Sequence, residues 1–157
     1  MKIFVLTSPV RCGKTTRLAA WAAARPGVAG LLMPDTPAGR VFRELGSGAE
    51  WPTAAAEADA NPLLVGRFRF SRAAFERANG ALLAAAARPA TRWLVVDEIG
   101  PLELRGEGLA PALRQVLAAP GAGFGLVLVV REVLREAAET AFGLGETEDF
   151  VDAEAML

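Results

Sequence analysis

Two short segments of this chain combine residue types that could bind phosphate and a metal ion. The first is TSPVRCGKTT, in which Gly13-Lys14-Thr15-Thr16 follows an apolar run and a short turn. Consecutive backbone N–H groups at such a turn and at a helix N-terminus can converge on one phosphate group. In a loop of this kind Lys14 would reach the terminal phosphates of a nucleotide, and the Thr15 hydroxyl would be a ligand of Mg²⁺.

The loop departs from the usual G-x4-G-K-[ST] spacing at its first position. Ser8 stands where that pattern has a glycine, and Pro9 lacks a backbone N–H. The amides from Arg11 to Thr16 remain available as donors. We therefore predict phosphate contacts by Ser8, Pro9, Val10, Arg11, Cys12, Gly13, Lys14, Thr15 and Thr16. The alternative is a helix start without a ligand, since Gly and Thr favour helix N-termini.

The second segment is WLVVDE, in which an apolar run of strand length ends in Asp97 and Glu98. Ligands of open α/β sheets bind at the carboxyl ends of the strands. We predict that Asp97 holds Mg²⁺ opposite the Thr15 hydroxyl. Glu98 would polarise a water molecule as a general base, with Lys14 as the second catalytic residue. The alternative is a solvated pair of acids that ends a strand.

Several other residues have two interpretations. Arg131 follows the apolar run GLVLVV, where it could contact the γ-phosphate or begin a helix on the surface. We expect Glu103 and Arg105 to line the cleft or to pair with each other on the surface. The aromatic residues Phe68, Phe70 and Trp93 are expected in the core.

The elements that must position these residues alternate between strand and helix. We predict strands over 3–6, 28–33, 64–70, 93–96, 125–130 and 149–152, and helices over 15–24, 72–87, 108–119 and 131–142. Residues 34–51 are rich in Pro, Gly and acidic residues, which favours a hairpin-like excursion after the second strand. This alternation predicts an α/β fold with a mostly parallel sheet flanked by helices.

Composition excludes several classes of site. The chain has 157 residues, no His, one Cys (Cys12) and a net charge of −1. The length predicts one domain over residues 1–157. The absence of His excludes His-based triads and His-ligated zinc, and the single Cys is typical of a reducing cytoplasm. The charge gives no indication of a nucleic-acid or membrane partner, and no apolar run is long enough for a membrane helix.

The segment DEIGPLEL, after an apolar strand, resembles the signature of the small P-loop nucleoside-triphosphatases typified by thermophile NTPases and the human cancer-related NTPase. The loop TSPVRCGKTT, the excursion after the second strand and the segment VGRFRFSRAAFERA extend the resemblance over most of the chain. The resemblance implies a RecA-like P-loop NTPase fold. It also implies Mg²⁺-dependent hydrolysis of nucleoside triphosphates, ATP and GTP among them, to diphosphate and phosphate.

Two other functions fit the same motifs. A small-molecule or nucleotide kinase would bind an acceptor under a lid that carries arginines, and Arg40 and Arg43 lie in the excursion. A nucleotide-responsive binding module would hold the nucleotide without hydrolysing it. No segment of the sequence identifies a protein partner.

Overall fold

The computed structural model of this chain describes residues 1–8, 14–119 and 121–150. Its strands are β1 (Ile3–Ser8), β2 (Val28–Leu32), β3 (Asp35–Thr36), β4 (Gly39–Leu45), β5 (Glu50–Pro52), β6 (Leu63–Val65), β7 (Phe68–Phe70), β8 (Trp93–Ile99), β9 (Gly125–Arg131) and β10 (Glu148–Asp149). Its helices are α1 (Lys14–Ala23), α2 (Arg72–Ala87), α3 (Pro101–Leu104), α4 (Ala110–Ala118) and α5 (Arg135–Phe142), and a 3₁₀ turn spans Glu132–Leu134. Within these ranges, no helix has the length and apolar character needed to cross a membrane.

The main sheet has the strand order β10-β1-β9-β8-β2-β4-β3, with β5 paired to β4. The strands β10, β1, β9, β8 and β2 run parallel, and β4 is antiparallel to β2. The central strands β8 and β9 carry the apolar runs WLVV and GLVLVV, as expected for strands buried on both faces. The predicted α/β fold, with a mostly parallel sheet and a hairpin-like excursion after the second strand, is confirmed.

Alternate residues of the parallel strands pack into two cores on opposite faces of the sheet. On one face, residues such as Leu94, Val96, Leu126 and Leu128 share a core with residues of α2 and α4. On the other face, Val95, Val127 and Val129 share a core with Leu18 and Trp21 of α1. Helix α1 therefore covers one face of the sheet, and its first turn lies near the carboxyl edge of the strands.

The excursion after β2 extends the sheet on its far side. Asp35 of β3 pairs with Arg40 of β4, and Arg43 of β4 pairs with Leu32, the last residue of β2. Because β4 is antiparallel to β2, the residues that precede Arg43 reach past the carboxyl end of β2. The β3–β4 hairpin therefore projects beyond the edge of the sheet where Asp97 lies.

The prediction of one strand over 64–70 is wrong. These residues form an antiparallel hairpin, β6–β7, that stands apart from the main sheet, with Val65 opposite Phe68 across the turn Gly66-Arg67. A Gly-containing two-residue turn reverses the chain, so the alternating pattern belongs to two short strands. The prediction of a core position for Phe68 is also wrong, since this residue is 56% exposed.

Helix α2 has the predicted bounds, and the Ala74 N–H donates a hydrogen bond to the Oγ of its N-cap Ser71 at 3.1 Å. Two other helices begin later than expected. The loop before α4 contains Gly106 and Gly108 at positive φ, so α4 starts at Ala110. Arg131 still belongs to β9, so α5 starts at Arg135 after the 3₁₀ turn. The last strand is predicted over 149–152, and residues 151–152 lie outside the described residues. Within the described residues, β10 spans Glu148–Asp149.

Candidate functional site

The two segments with site chemistry meet at the carboxyl edge of the parallel sheet. Thr15 lies in the first turn of α1, and Asp97 lies near the end of β8. The Thr15 hydroxyl donates a hydrogen bond to Asp97 Oδ2 at 2.9 Å, across 82 positions of sequence. The strand order thus brings together the two residues that we expect to share a metal ion.

Asp97 is held in place from two sides. It is 2% exposed, and the same Oδ2 accepts a hydrogen bond from the Met33 backbone N–H at 3.1 Å. Met33 directly follows β2, which neighbours β8. A buried carboxylate needs such donors because an unsolvated charge is costly. The Met33 amide could not be identified from sequence, since a backbone donor leaves no trace in residue type.

Glu98 points to a different side from Asp97 because the pairing of β8 with β9 shifts at this residue. Asp97 pairs with Val129 and Ile99 pairs with Val130, so Glu98 has no residue opposite it. An extra residue of this kind is a β-bulge, which redirects a side chain out of the regular alternation. The side chain of Glu98 is 19% exposed, and its Oε1 lies 3.3 Å from Arg131 Nε.

Arg131 lies between the two segments of the site. It ends β9, which separates β1 from β8, and it pairs in register with Ser8, the last residue of β1. Its side chain is 40% exposed and carries the ion pair with Glu98. A guanidinium at this position stands beside the acidic pair and level with the start of the predicted phosphate loop.

Part of the predicted loop lies outside the described residues. This applies to Pro9, Val10, Arg11, Cys12 and Gly13 and to the side chains of Ser8 and Lys14. The backbone of Ser8 ends β1 and that of Lys14 begins α1, so the predicted loop connects these two elements. Thr16 is exposed on the first turn of α1.

Arg40 of the β3–β4 hairpin is a further charged group near the acidic pair. Its Nε donates a hydrogen bond to Asp35 Oδ1 at 3.1 Å. This hydrogen bond is the main cause that raises the pKa of Arg40, and the negative charges of Glu98 and Asp97 raise it further. The guanidinium group of Arg40 therefore interacts electrostatically with the carboxylates of Asp97 and Glu98.

The expectation that Glu103 and Arg105 pair with each other on the surface is wrong. Arg105 Nε forms an ion pair with Glu107 Oε1 at 3.2 Å, and Glu103 is buried at 4% exposure. The reason is the short helix α3, which turns Glu103 inward after Pro101. Residue type gave no signal of this burial, because a Glu in the first turn of a helix commonly lies at the surface.

Two oxygen donors at this edge have the chemistry of Mg²⁺ ligands. The described residues contain no cluster of three or more His, Cys, Asp or Glu side chains that could hold a metal ion. Mg²⁺ is usually bound by one or two protein oxygens together with phosphates and water. Thr15 Oγ1 and Asp97 Oδ2 are hard oxygen donors that face each other at 2.9 Å.

Comparisons with known proteins identify the fold. No protein-family model and no curated protein matches this chain. The solution structure of a human cancer-related nucleoside triphosphatase superposes with a TM-score of 0.69 at 23% identity, over 96% of this chain and 88% of that chain. The crystal structure of THEP1 from the hyperthermophile Aquifex aeolicus superposes with a TM-score of 0.72 at 17% identity, over 99% of this chain and 96% of that chain.

These likenesses extend over nearly the whole length of each protein. At such identities they establish the fold, and they agree with the resemblance carried by GKTT and DEIG. The chain therefore has the α/β P-loop fold of these small proteins.

Proposed function

We propose that this chain is a cytoplasmic, magnesium-dependent nucleoside triphosphatase that hydrolyses ATP, GTP and other nucleoside triphosphates to diphosphate and phosphate. The observation that carries the proposal is the hydrogen bond from Thr15 Oγ1 to Asp97 Oδ2. It joins the helix start after the predicted phosphate loop to the strand end that carries the acidic pair. One of the two structural neighbours is a nucleoside triphosphatase by name, which supports the proposal.

In this proposal Thr15 and Asp97 would hold the metal ion at the edge of the sheet. Bound Mg²⁺ would neutralise charge on the β- and γ-phosphates. The amides from Arg11 to Thr16 and the Lys14 ammonium group bind the phosphates, and the Met33 N–H keeps the Asp97 carboxylate oriented. These groups favour the transition state because their dipoles and charges are already directed at the transferring group.

Glu98 is the group that acts on water. Its carboxylate orients a water molecule towards the γ-phosphorus and accepts the proton as the new oxygen–phosphorus bond forms. The bond from the γ-phosphorus to the bridging oxygen breaks, and the diphosphate leaves. Arg131 Nε lies 3.3 Å from Glu98 Oε1, and Arg131 pairs with Ser8 at the end of β1. The guanidinium group of Arg131 could therefore contact the γ-phosphate as well as Glu98.

The test is phosphate release from ATP, GTP, CTP and UTP, with and without Mg²⁺. Glu98→Gln should retain nucleotide binding and lose turnover by about 100-fold or more, because the amide cannot accept the proton. Glu107→Gln is the matched control, since Glu107 pairs with Arg105 outside the acidic pair. Lys14→Ala should lose binding as well as turnover. Turnover that is independent of Mg²⁺, or unchanged in Glu98→Gln, contradicts the proposal.

A kinase on the same fold is the second candidate function. The observation in its favour is the β3–β4 hairpin, which projects past the edge of the sheet. Arg40 of this hairpin interacts electrostatically with Asp97 and Glu98. An acceptor bound beneath this hairpin would receive the phosphoryl group in place of water. Diphosphate formation that rises with an added acceptor, without release of free phosphate, would favour the kinase.

A further inference from the structure

A buried carboxyl group lies close to the proposed catalytic glutamate. Glu103 is 4% exposed and occupies the third position of α3, whose N-cap is Gly100. Its Oε2 is buried and has no hydrogen-bond partner within the part of the chain that the structure describes. A Glu at this helix position commonly reaches back to the N-cap amide at the surface, but this one is enclosed.

The enclosure depends on a glycine. Gly108 lies in the loop after α3 at a φ of +60°, and a Cβ atom added there would come within 2.3 Å of Glu103 Oε2. Asn79 of α2 holds this loop in place. Its Nδ2 donates to the Gly108 carbonyl oxygen at 2.9 Å, and its Oδ1 accepts from the Ala112 N–H at 2.9 Å. The Glu103 carboxyl group is thus covered by a loop that one hydrogen bond fastens to α2, while the second hydrogen bond fastens the first turn of α4 to α2.

Burial makes the neutral acid the stable form of Glu103. Desolvation by burial, as the largest cause, and the negative charge of Glu98 together raise the pKa of Glu103 to about 8, and the amides of Gly100 and Leu109 oppose this rise. Asp97 of β8 accepts hydrogen bonds from the Thr15 hydroxyl and the Met33 amide. Other charged groups on the packed elements also have partners of their own or are exposed. Three arginines form ion pairs: Arg105 with Glu107, Arg131 with Glu98, and Arg135 with Glu139. Arg114 donates a hydrogen bond to the Ala141 carbonyl oxygen, and Glu136 is exposed.

Glu98 and Glu103 are linked through a single residue, Gly100. A Cβ atom added at Gly100 would lie 4.0 Å from Glu98 Oε1, and the Gly100 amide interacts with the Glu103 carboxyl group. Gly100 is therefore near both carboxyl groups and lies two residues after Glu98 in the chain. The two side chains also share one electrostatic environment, in which a second negative charge is unfavourable.

We propose that Glu103 is a positioning residue for Glu98, and that hydrolysis requires the buried Glu103 carboxyl group to carry its proton. The inference rests on the proposed hydrolysis. Ionised Glu103 would either remain buried and place a second negative charge beside Glu98, or leave its enclosed position and shift the segment from Gly100 to Leu104. Both outcomes disturb the Glu98 carboxylate, which orients the water molecule. Ionisation of Glu103 should therefore lower kcat.

A purely structural role for Glu103 has a different consequence. A carboxylate that only caps the amide of Gly100 binds that amide more strongly when it is ionised. Capping alone therefore predicts no loss of turnover when Glu103 loses its proton. The dependence of kcat on pH distinguishes the two roles.

The experiment measures phosphate release from MgATP between pH 6.5 and 9.5 for the wild type, Glu103→Gln and the control Glu107→Gln. Glutamine keeps the shape and neutrality of the protonated acid and cannot ionise. A group with a pKa of about 8 is about one-tenth protonated at pH 9, so we expect the wild-type kcat to fall about tenfold between pH 7 and 9. Glu107→Gln should follow the wild type.

Glu103→Gln should keep the wild-type kcat at pH 7 to within about threefold and lose the alkaline fall. If Glu103→Gln shows the same alkaline fall as the wild type, or loses more than about tenfold at pH 7 while folded, the inference is overturned and the proposed function stands. If the wild type releases no phosphate at any pH, the proposed function fails, and the inference fails with it.

Discussion

The substitution Glu103→Gln should also change how the stability of this protein depends on pH. Burial raises the pKa of Glu103 from 4.5 to about 8 in the folded chain. Between these two pH values the folded state holds a proton that the unfolded chain releases. The free energy of unfolding contributed by this group is fully present below pH 4.5 and is lost as the pH rises through about 8.

The size of the effect follows from the same two pKa values. Each pH unit between them corresponds to about 1.4 kcal/mol. From pH 5.5 to pH 8 the wild type should therefore lose about 3 kcal/mol relative to Glu103→Gln, which has no proton to release. The unfolding free energy falls by about 1 to 3 kcal/mol per molar urea. The difference in urea midpoint between Glu103→Gln and the wild type should therefore change by about 1 to 3 M between pH 5.5 and pH 8.

The assay is equilibrium unfolding in urea at pH 5.5 and pH 8, followed by circular dichroism. The measured quantity is the difference in unfolding free energy between Glu103→Gln and the wild type at each pH, which removes the effect of all other titrating groups. Glu107→Gln should show no such change with pH, because its side chain is partly exposed and paired with Arg105. A difference between Glu103→Gln and the wild type that is the same at both pH values would refute the reasoning.

Three further predictions concern packing, capping and the metal site. Gly30→Ala should lower the unfolding free energy in urea by about 3 kcal/mol or more, because its Cβ would lie 2.1 Å from a backbone oxygen of β8. Gly39→Ala, at almost the same φ but in open space, should cost only about 1 to 2 kcal/mol. Ser71→Ala should lower the unfolding free energy by about 1 kcal/mol in the same assay, because α2 loses its N-cap hydrogen bond. Ser71→Asp should keep most of the wild-type stability, because Asp is also a good N-cap residue. Thr15→Val should raise the Mg²⁺ concentration for half-maximal phosphate release about tenfold or more, and Thr15→Ser should restore it.

Each of these predictions has a contrary outcome. Equal costs for the two glycine substitutions would show that the left-handed backbone, and not contact with β8, controls Gly30. An unchanged stability of Ser71→Ala would mean that α2 does not depend on its cap. A normal Mg²⁺ requirement in Thr15→Val would remove this hydroxyl from the metal site.

The sequence by itself determined the local elements and the residue types of the candidate site. The order of strand, loop and helix around GKTT, the apolar runs before Asp97 and Arg131, and the cap at Ser71 are all encoded by neighbouring residues. Apolar runs of strand length that alternate with helices also predict a parallel sheet. For these features the fold adds little beyond exact bounds.

Predictions from sequence were wrong where a pattern has two geometric solutions. The alternating residues of 64–70 suit one strand or a tight hairpin, and the turn at Gly66-Arg67 selects the hairpin. Arg131 suits the end of a strand or the start of a helix, and its pairing with Ser8 in β1 retains it in the strand. In the second case the decision depends on a strand that is distant in sequence.

Only the tertiary structure decided how the site is assembled. The insertion of β9 between β1 and β8 sets Arg131 beside Glu98, and the end of β2 supplies the Met33 amide to Asp97. The burial of Glu103 depends on α3, on the loop at Gly108 and on Asn79 of α2. Residue type determines which charges a side chain can carry, but its solvation depends on every element packed around it, and a linear pattern does not contain that information.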